Sequence, residues 1–118
     1  MDKAELKKRT KEFAHRCVNL ALHLPEGTLG YHLRSQLIRC STSVAANYRA
    51  ACMAQSRNAF AAKLAIVIEE DDETCFWLEF IIEENIFSET KIQALLNEAN
   101  ELTAIFVASR RTLLNNKS

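Results

Sequence analysis

The only proline and both glycines of this chain fall close together, at Pro25, Gly27 and Gly30. Nothing outside that stretch forces the backbone away from a helix, because glycine and proline are the two residues a helix interior tolerates least. Apolar residues recur at helical spacing on both sides of it. Leu6, Phe13, Cys17, Leu20 and Leu24 draw one stripe, predicting a helix over about 3–24 that Pro25, Glu26 and Gly27 close. Leu33, Leu37, Cys40, Val44, Tyr48 and Ala51 draw a second, over about 28–52, with Thr28 as its N-cap. Ser56 caps a third helix over about 57–86. Ser88 caps a fourth over about 89–115, with Ile92, Leu95, Ala99, Leu102, Phe106 and Leu113 on its stripe. Long helices joined by such short connections lie antiparallel, so the expected fold is all-α, a single up-down-up-down four-helix bundle spanning 1–118.

Small residues crowd the second helix. Ser41, Thr42, Ser43, Ala45, Ala46, Ala50 and Ala51 add little bulk, and three weak helix formers in a row at its centre predict close approach by a neighbouring helix. The third helix carries two apolar faces instead of one. Phe60, Leu64, Val67, Leu78, Ile81 and Ile82 share a face that enters the core. Ile66, Phe76, Trp77 and Phe80 lie roughly opposite, where a lone bundle would offer them to water. A homo-oligomer interface built on those four residues is therefore expected.

The acidic run from Glu69 to Glu73 interrupts both faces and places Asp71 on the core side. Partly buried carboxylates require partners. Counted by layer, the nearest candidates are Asn47 and Arg49 of the second helix. The expected polar motif is thus Asn47, Arg49, Glu69, Asp72 and Glu73, with Arg49 forked onto a helix-three carboxylate.

The stretch from Arg39 to Cys52, Ser56-Arg57 with Phe60 and Lys63-Leu64, Glu69-Glu70 with Asp72-Glu73, Trp77-Leu78-Glu79, and the closing Glu101 to Ser109 together resemble a bacterial family of four-helix-bundle proteins. Some of its members are encoded within intervening sequences of large-subunit ribosomal RNA genes. The resemblance covers nearly the whole chain. It implies a ring-like homopentamer and no established activity. A related branch, the accessory variability protein of diversity-generating retroelements, is a basic pentamer that engages a reverse transcriptase and nucleic acid. Two positions depart from the family pattern: Ala59 stands where Glu is common, removing a capping-box partner for Ser56, and Asp71 stands where a small residue is usual.

No catalytic constellation, phosphate loop or dinucleotide fingerprint is present in the sequence. Glu12 and His15 make half of a di-iron carboxylate–histidine signature that has no second copy. No cofactor, no metal and no enzymatic activity are expected. Cys17, Cys40, Cys52 and Cys75 stand singly among small or apolar neighbours, the pattern of reduced buried thiols. The start, Met1 to Lys8, is charged and has no signal-like apolar stretch, so a cytoplasmic location is expected. Apolar runs never exceed five residues, so no membrane contact is expected.

Net charge is zero, but its distribution is not even. Residues 1–63 hold 11 Lys/Arg against 4 Asp/Glu, and residues 64–118 hold the reverse. Antiparallel threading collects Lys3, Lys7, Lys8, Arg9, Lys11, Arg49, Arg57, Lys63, Arg110, Arg111 and Lys117 at one end of the bundle. Two helix N-termini add partial positive charge there. Lys7, Lys8, Arg9, Lys11, Arg57, Arg110 and Arg111 are the candidate contacts to RNA or DNA phosphates. Expected partners are the chain itself, RNA or DNA, or a nucleic-acid-processing enzyme. The alternative is a protein-assembly module with no nucleic-acid role.

Overall fold

The computed structural model describes residues 1–115, and the end of the chain including Lys117 lies outside the described residues. Four helices make up the fold: α1 (Lys3–Leu22), α2 (Thr28–Ala51), α3 (Arg57–Glu83) and α4 (Glu89–Asn115). No strand occurs among the described residues. The bundle is elongated, about 53 × 21 × 20 Å. Each helix packs along the next in sequence, whereas α1 and α4 touch much more sparsely.

The helix ends follow local chemistry. Asp2 caps α1 by accepting the Glu5 N–H at 2.8 Å, and Ser56 caps α3 by accepting the Ala59 N–H at 3.1 Å. α1 and α3 stop two and three residues before their expected ends. α1 stops at Leu22, although Leu24 stays buried as the anchor of the turn, and Arg34 of α2 reaches back to donate to the Ala21 and Leu24 carbonyls. Ala21 lies in the last turn of α1 and Leu24 just beyond it, so a neighbouring helix helps to complete that terminus.

α3 stops at Glu83 because Asn85 takes a left-handed conformation, φ 55°. The Asn85 N–H then donates to the Ile82 carbonyl, and the Ile86 N–H to the Ile81 carbonyl. This is the Schellman pattern, in which asparagine can replace the usual glycine. The expected Thr28 cap is also displaced by one residue. Gly27 holds that position with φ 126°, without a side-chain bond, and Thr28 is the first residue of α2.

Phe13, Leu33, Leu37, Leu64, Leu78, Ile81, Ile92, Leu102 and Phe106 are fully buried, drawn from all four stripes. Each such side chain contributes about 1.5–3 kcal/mol by leaving water. The core face expected of α3 holds for Leu64, Val67, Leu78 and Ile81, whereas Phe60 and Ile82 sit at its margin. All four cysteines are free thiols, three of them buried and Cys52 half-buried.

The expected polar motif is corrected in register. Counting back from the turn between α2 and α3, Arg39 and not Arg49 reaches the level of the acidic run. Arg39 pairs with Glu73 and lies 3.5 Å from Glu70. Arg49 is exposed with no carboxylate partner among the described residues, and Asn47 bonds within its own helix, to the Ser43 carbonyl and hydroxyl. Glu69 and Asp72 are exposed to solvent. Among the described residues, Glu73 is the one of the five that bonds to another helix.

Candidate nucleic-acid interface

Cross-bundle contacts bring the expected elements to one end. Lys3 lies over the Phe60 ring at 4.7 Å, the Tyr48 and Phe106 rings meet at 5.6 Å, and Arg110 Nε donates to the Ala61 carbonyl at 3.0 Å. These join the start of α1, the end of α2, the start of α3 and the end of α4.

The cations there divide by environment. Arg9 is turned inward, with Nε and Nη2 each 2.7 Å from a Glu98 carboxylate oxygen and Nη2 3.2 Å from Glu101. Its guanidinium is held above its usual range chiefly by the Glu98 hydrogen bonds, against the effect of burial. The fork ties α1 to α4 where those helices otherwise touch least, so Arg9 is a structural clamp and not a free phosphate ligand. Arg110 is likewise occupied by a backbone carbonyl. Arg57 and Arg111 are exposed beside the α3 start and the α4 end.

Lys7, Lys8 and Lys11 instead gather with Arg49 along a groove of about 680 Å³ between α1 and α2. Its floor is Ala14, Val18, Thr42, Ala45 and Ala46, and His15 completes the wall. No carboxylate lines it among the described residues. Here the small residues of α2 have a different use from the one expected. Ser41 is buried against the bundle, but Thr42 and Ala46 are exposed and leave the space between the two helices open. The sequence signal for this groove was present in Thr42-x-x-Ala45-Ala46, but it is equally the signal of a tight helix crossing. Arg49, expected both at the basic end and in an internal pair, belongs to the groove and not to the pair.

The second surface lies along the outside of α3. Ile66 is 45% and Phe76 53% exposed. Trp77 and Phe80 are only half exposed, packed against the core margin. Phe76, Trp77 and Phe80 form one aromatic cluster with centroids 4.9–6.1 Å apart, and the His32 ring meets Trp77 edge-on at 5.5 Å. Trp77 Nε1 donates to Glu73 at 3.2 Å, which fixes the indole against the Arg39 pair. Tyr31 and Leu29 at the start of α2 are further exposed apolar side chains.

The thiols of the core offer no nucleophile to either surface. Burial pushes the Cys75 thiol up to about 12 and raises Cys17 and Cys40, so the buried thiols stay protonated and weakly nucleophilic. Among the described residues, no three His, Cys, Asp or Glu side chains converge as metal ligands. No helix among them is long and apolar enough to cross a membrane.

No curated protein matches the chain. A solved structure from Bacteroides thetaiotaomicron, described as a protein with unknown function from the S23 ribosomal protein family, is 32% identical, with a TM-score of 0.86 over 95% of this chain and 100% of that one. Residues 2–108 match the family described as 23S rRNA-intervening sequence protein. With a sequence match over nearly the whole chain and a closely similar solved structure, this chain belongs to the 23S rRNA-intervening sequence protein family.

Proposed function

We propose that the chain is a non-enzymatic, cytoplasmic scaffold that assembles as a ring-like homo-oligomer, a pentamer by family resemblance, and contacts RNA or DNA through its basic end. The same surface would serve to recruit a nucleic-acid-processing enzyme already bound to its substrate. The observation that carries this reading is the α1–α2 groove, where Lys7, Lys8, Lys11 and Arg49 stand together without a lining carboxylate. An uncompensated row of cations fits a polyanion backbone. The floor of alanine, valine and threonine holds no aromatic ring, leaving His15 of the wall as the one ring among the described lining residues, so binding rests on the phosphate backbone and is sequence-tolerant.

Four phosphate contacts per subunit predict that affinity for single-stranded RNA falls roughly 50-fold between about 50 and 200 mM salt. Fluorescence anisotropy with a labelled oligonucleotide reads this directly. Lys8→Glu combined with Arg49→Glu, one on each rim, should weaken binding more than about tenfold while leaving thermal stability unchanged, since both side chains are exposed and neither makes a hydrogen bond or ion pair among the described residues. Absence of binding at about 50 mM salt would overturn the proposal.

The exposed aromatic cluster of α3 supports the homo-oligomeric part of the reading. It also supports a second one, an assembly module whose partners are proteins alone. Retention of an oligomer together with no affinity for nucleic acid would favour that second reading.

A further inference from the structure

Asp71 sits at the centre of the bundle, 0% exposed. Its Oδ1 has no hydrogen-bond partner, the one buried side-chain oxygen or nitrogen among the described residues in that condition. Its Oδ2 lies 2.5 Å from the Thr103 hydroxyl of α4. The same hydroxyl is 3.1 Å from the Ala99 carbonyl. A hydroxyl has one proton, so Thr103 cannot donate to both oxygens. If Asp71 were a carboxylate, either it or the Ala99 contact would be left without that proton. If Asp71 is the neutral acid, its own O–H donates to Thr103, Thr103 donates to Ala99, and both short contacts become hydrogen bonds.

We infer that Asp71 is held as a neutral acid in the packed bundle, and that this core proton makes the α3–α4 pairing a proton-responsive element. The surroundings agree from every side. The neighbouring charges that act on Asp71 are Asp72 of α3 and Glu98 of α4, both carboxylates, and Glu98 is already engaged by Arg9. Toward α1 and α2 stand thiols: Cys17, which feels both Asp71 and Cys40, while Cys75 lies on α3 itself. No cation compensates the site. Burial foremost, and then Asp72 and Glu98, push Asp71 up to about 7 against the opposing Thr103 bond.

The sign follows. A folded-state value above the unfolded one means that the native chain binds the extra proton. The stability this contributes is complete below pH about 4, is lost as pH rises toward about 7, and is absent above. Ionisation would place an unpaired charge between α3 and α4.

Aspartate occurs only at positions 2, 71 and 72. In protein labelled with 13C at the aspartate carboxyl, one of three signals should titrate near neutrality and disappear in Asp71→Asn. Three signals titrating in the ordinary range near pH ~4 would overturn the inference. Urea unfolding of wild type and Asp71→Asn between about pH 5 and 8 gives the second readout, because asparagine keeps the shape and can donate to Thr103. The wild-type unfolding constant should rise relative to the variant's by about ten- to a thousandfold over that range. Parallel profiles would count against the switch. If the variant does not fold, the wild-type titration alone decides.

Discussion

Gly30→Ala should destabilise the fold by about 3 kcal/mol or more, although alanine is the better helix former by about 1 kcal/mol. A Cβ at position 30 would lie 1.6 Å from the Pro25 carbonyl oxygen and 2.8 Å from its carbon. Both are backbone atoms of the turn that crosses the start of α2, so no side chain can swing aside. The turn itself would have to lift. It is held down by buried Leu24 and by Arg34, which donates to the Leu24 carbonyl, so lifting it breaks the connection that sets α1 against α2. Gly27→Ala is the informative control. There the space is open but φ is 126°, so the cost is backbone strain alone, about 1–3 kcal/mol. Urea denaturation of both variants separates the two effects, and a Gly30→Ala protein as stable as wild type would refute the close approach.

Residues of this kind mark what is readable in a sequence and what is not. The clustering of Pro25, Gly27 and Gly30 announces a turn, and helical periodicity gives four helices whose stripes are buried except for Leu20, Phe60, Ile82 and Leu113 at the core margin. Periodicity says less about register. An error of about three turns assigned the acidic run to Arg49 when Arg39 faces it, because a pairing partner depends on where the α2–α3 turn ends, not on the apolar pattern. Arg9 shows a second limit. Its charge and neighbours resemble those of Lys7, Lys8 and Lys11, but the helical phase that carries Arg9 toward Glu98 carries the lysines into the groove. A list of cations at one end therefore contained the groove residues without separating them from the clamp. The small residues of α2 were ambiguous for a physical reason as well. A side-chain-poor surface is needed both where helices touch and where a groove stays open.

Two phenylalanines with the same chemistry and opposite surroundings test whether core and assembly surface have been told apart. Phe106 is 0% exposed and packs on Tyr48, joining α4 to α2 through the core at the basic end. Phe106→Ala should cost about 3–5 kcal/mol, from lost transfer energy and the cavity left behind. That is a large part of the roughly 5–15 kcal/mol that holds a domain of this class together. Phe76 is 53% exposed on the outer face of α3. Phe76→Ala should change the stability of the subunit by less than about 0.5 kcal/mol, as surface substitutions usually do. Its effect should appear in association: wild type sediments as an oligomer at micromolar concentration, and Phe76→Glu shifts it toward monomer while the melting of the subunit is preserved. Wild type sedimenting only as monomer would remove the assembly surface from the proposal. It would leave the Phe106 result untouched, because that contact lies within one subunit and its energy does not depend on protein concentration.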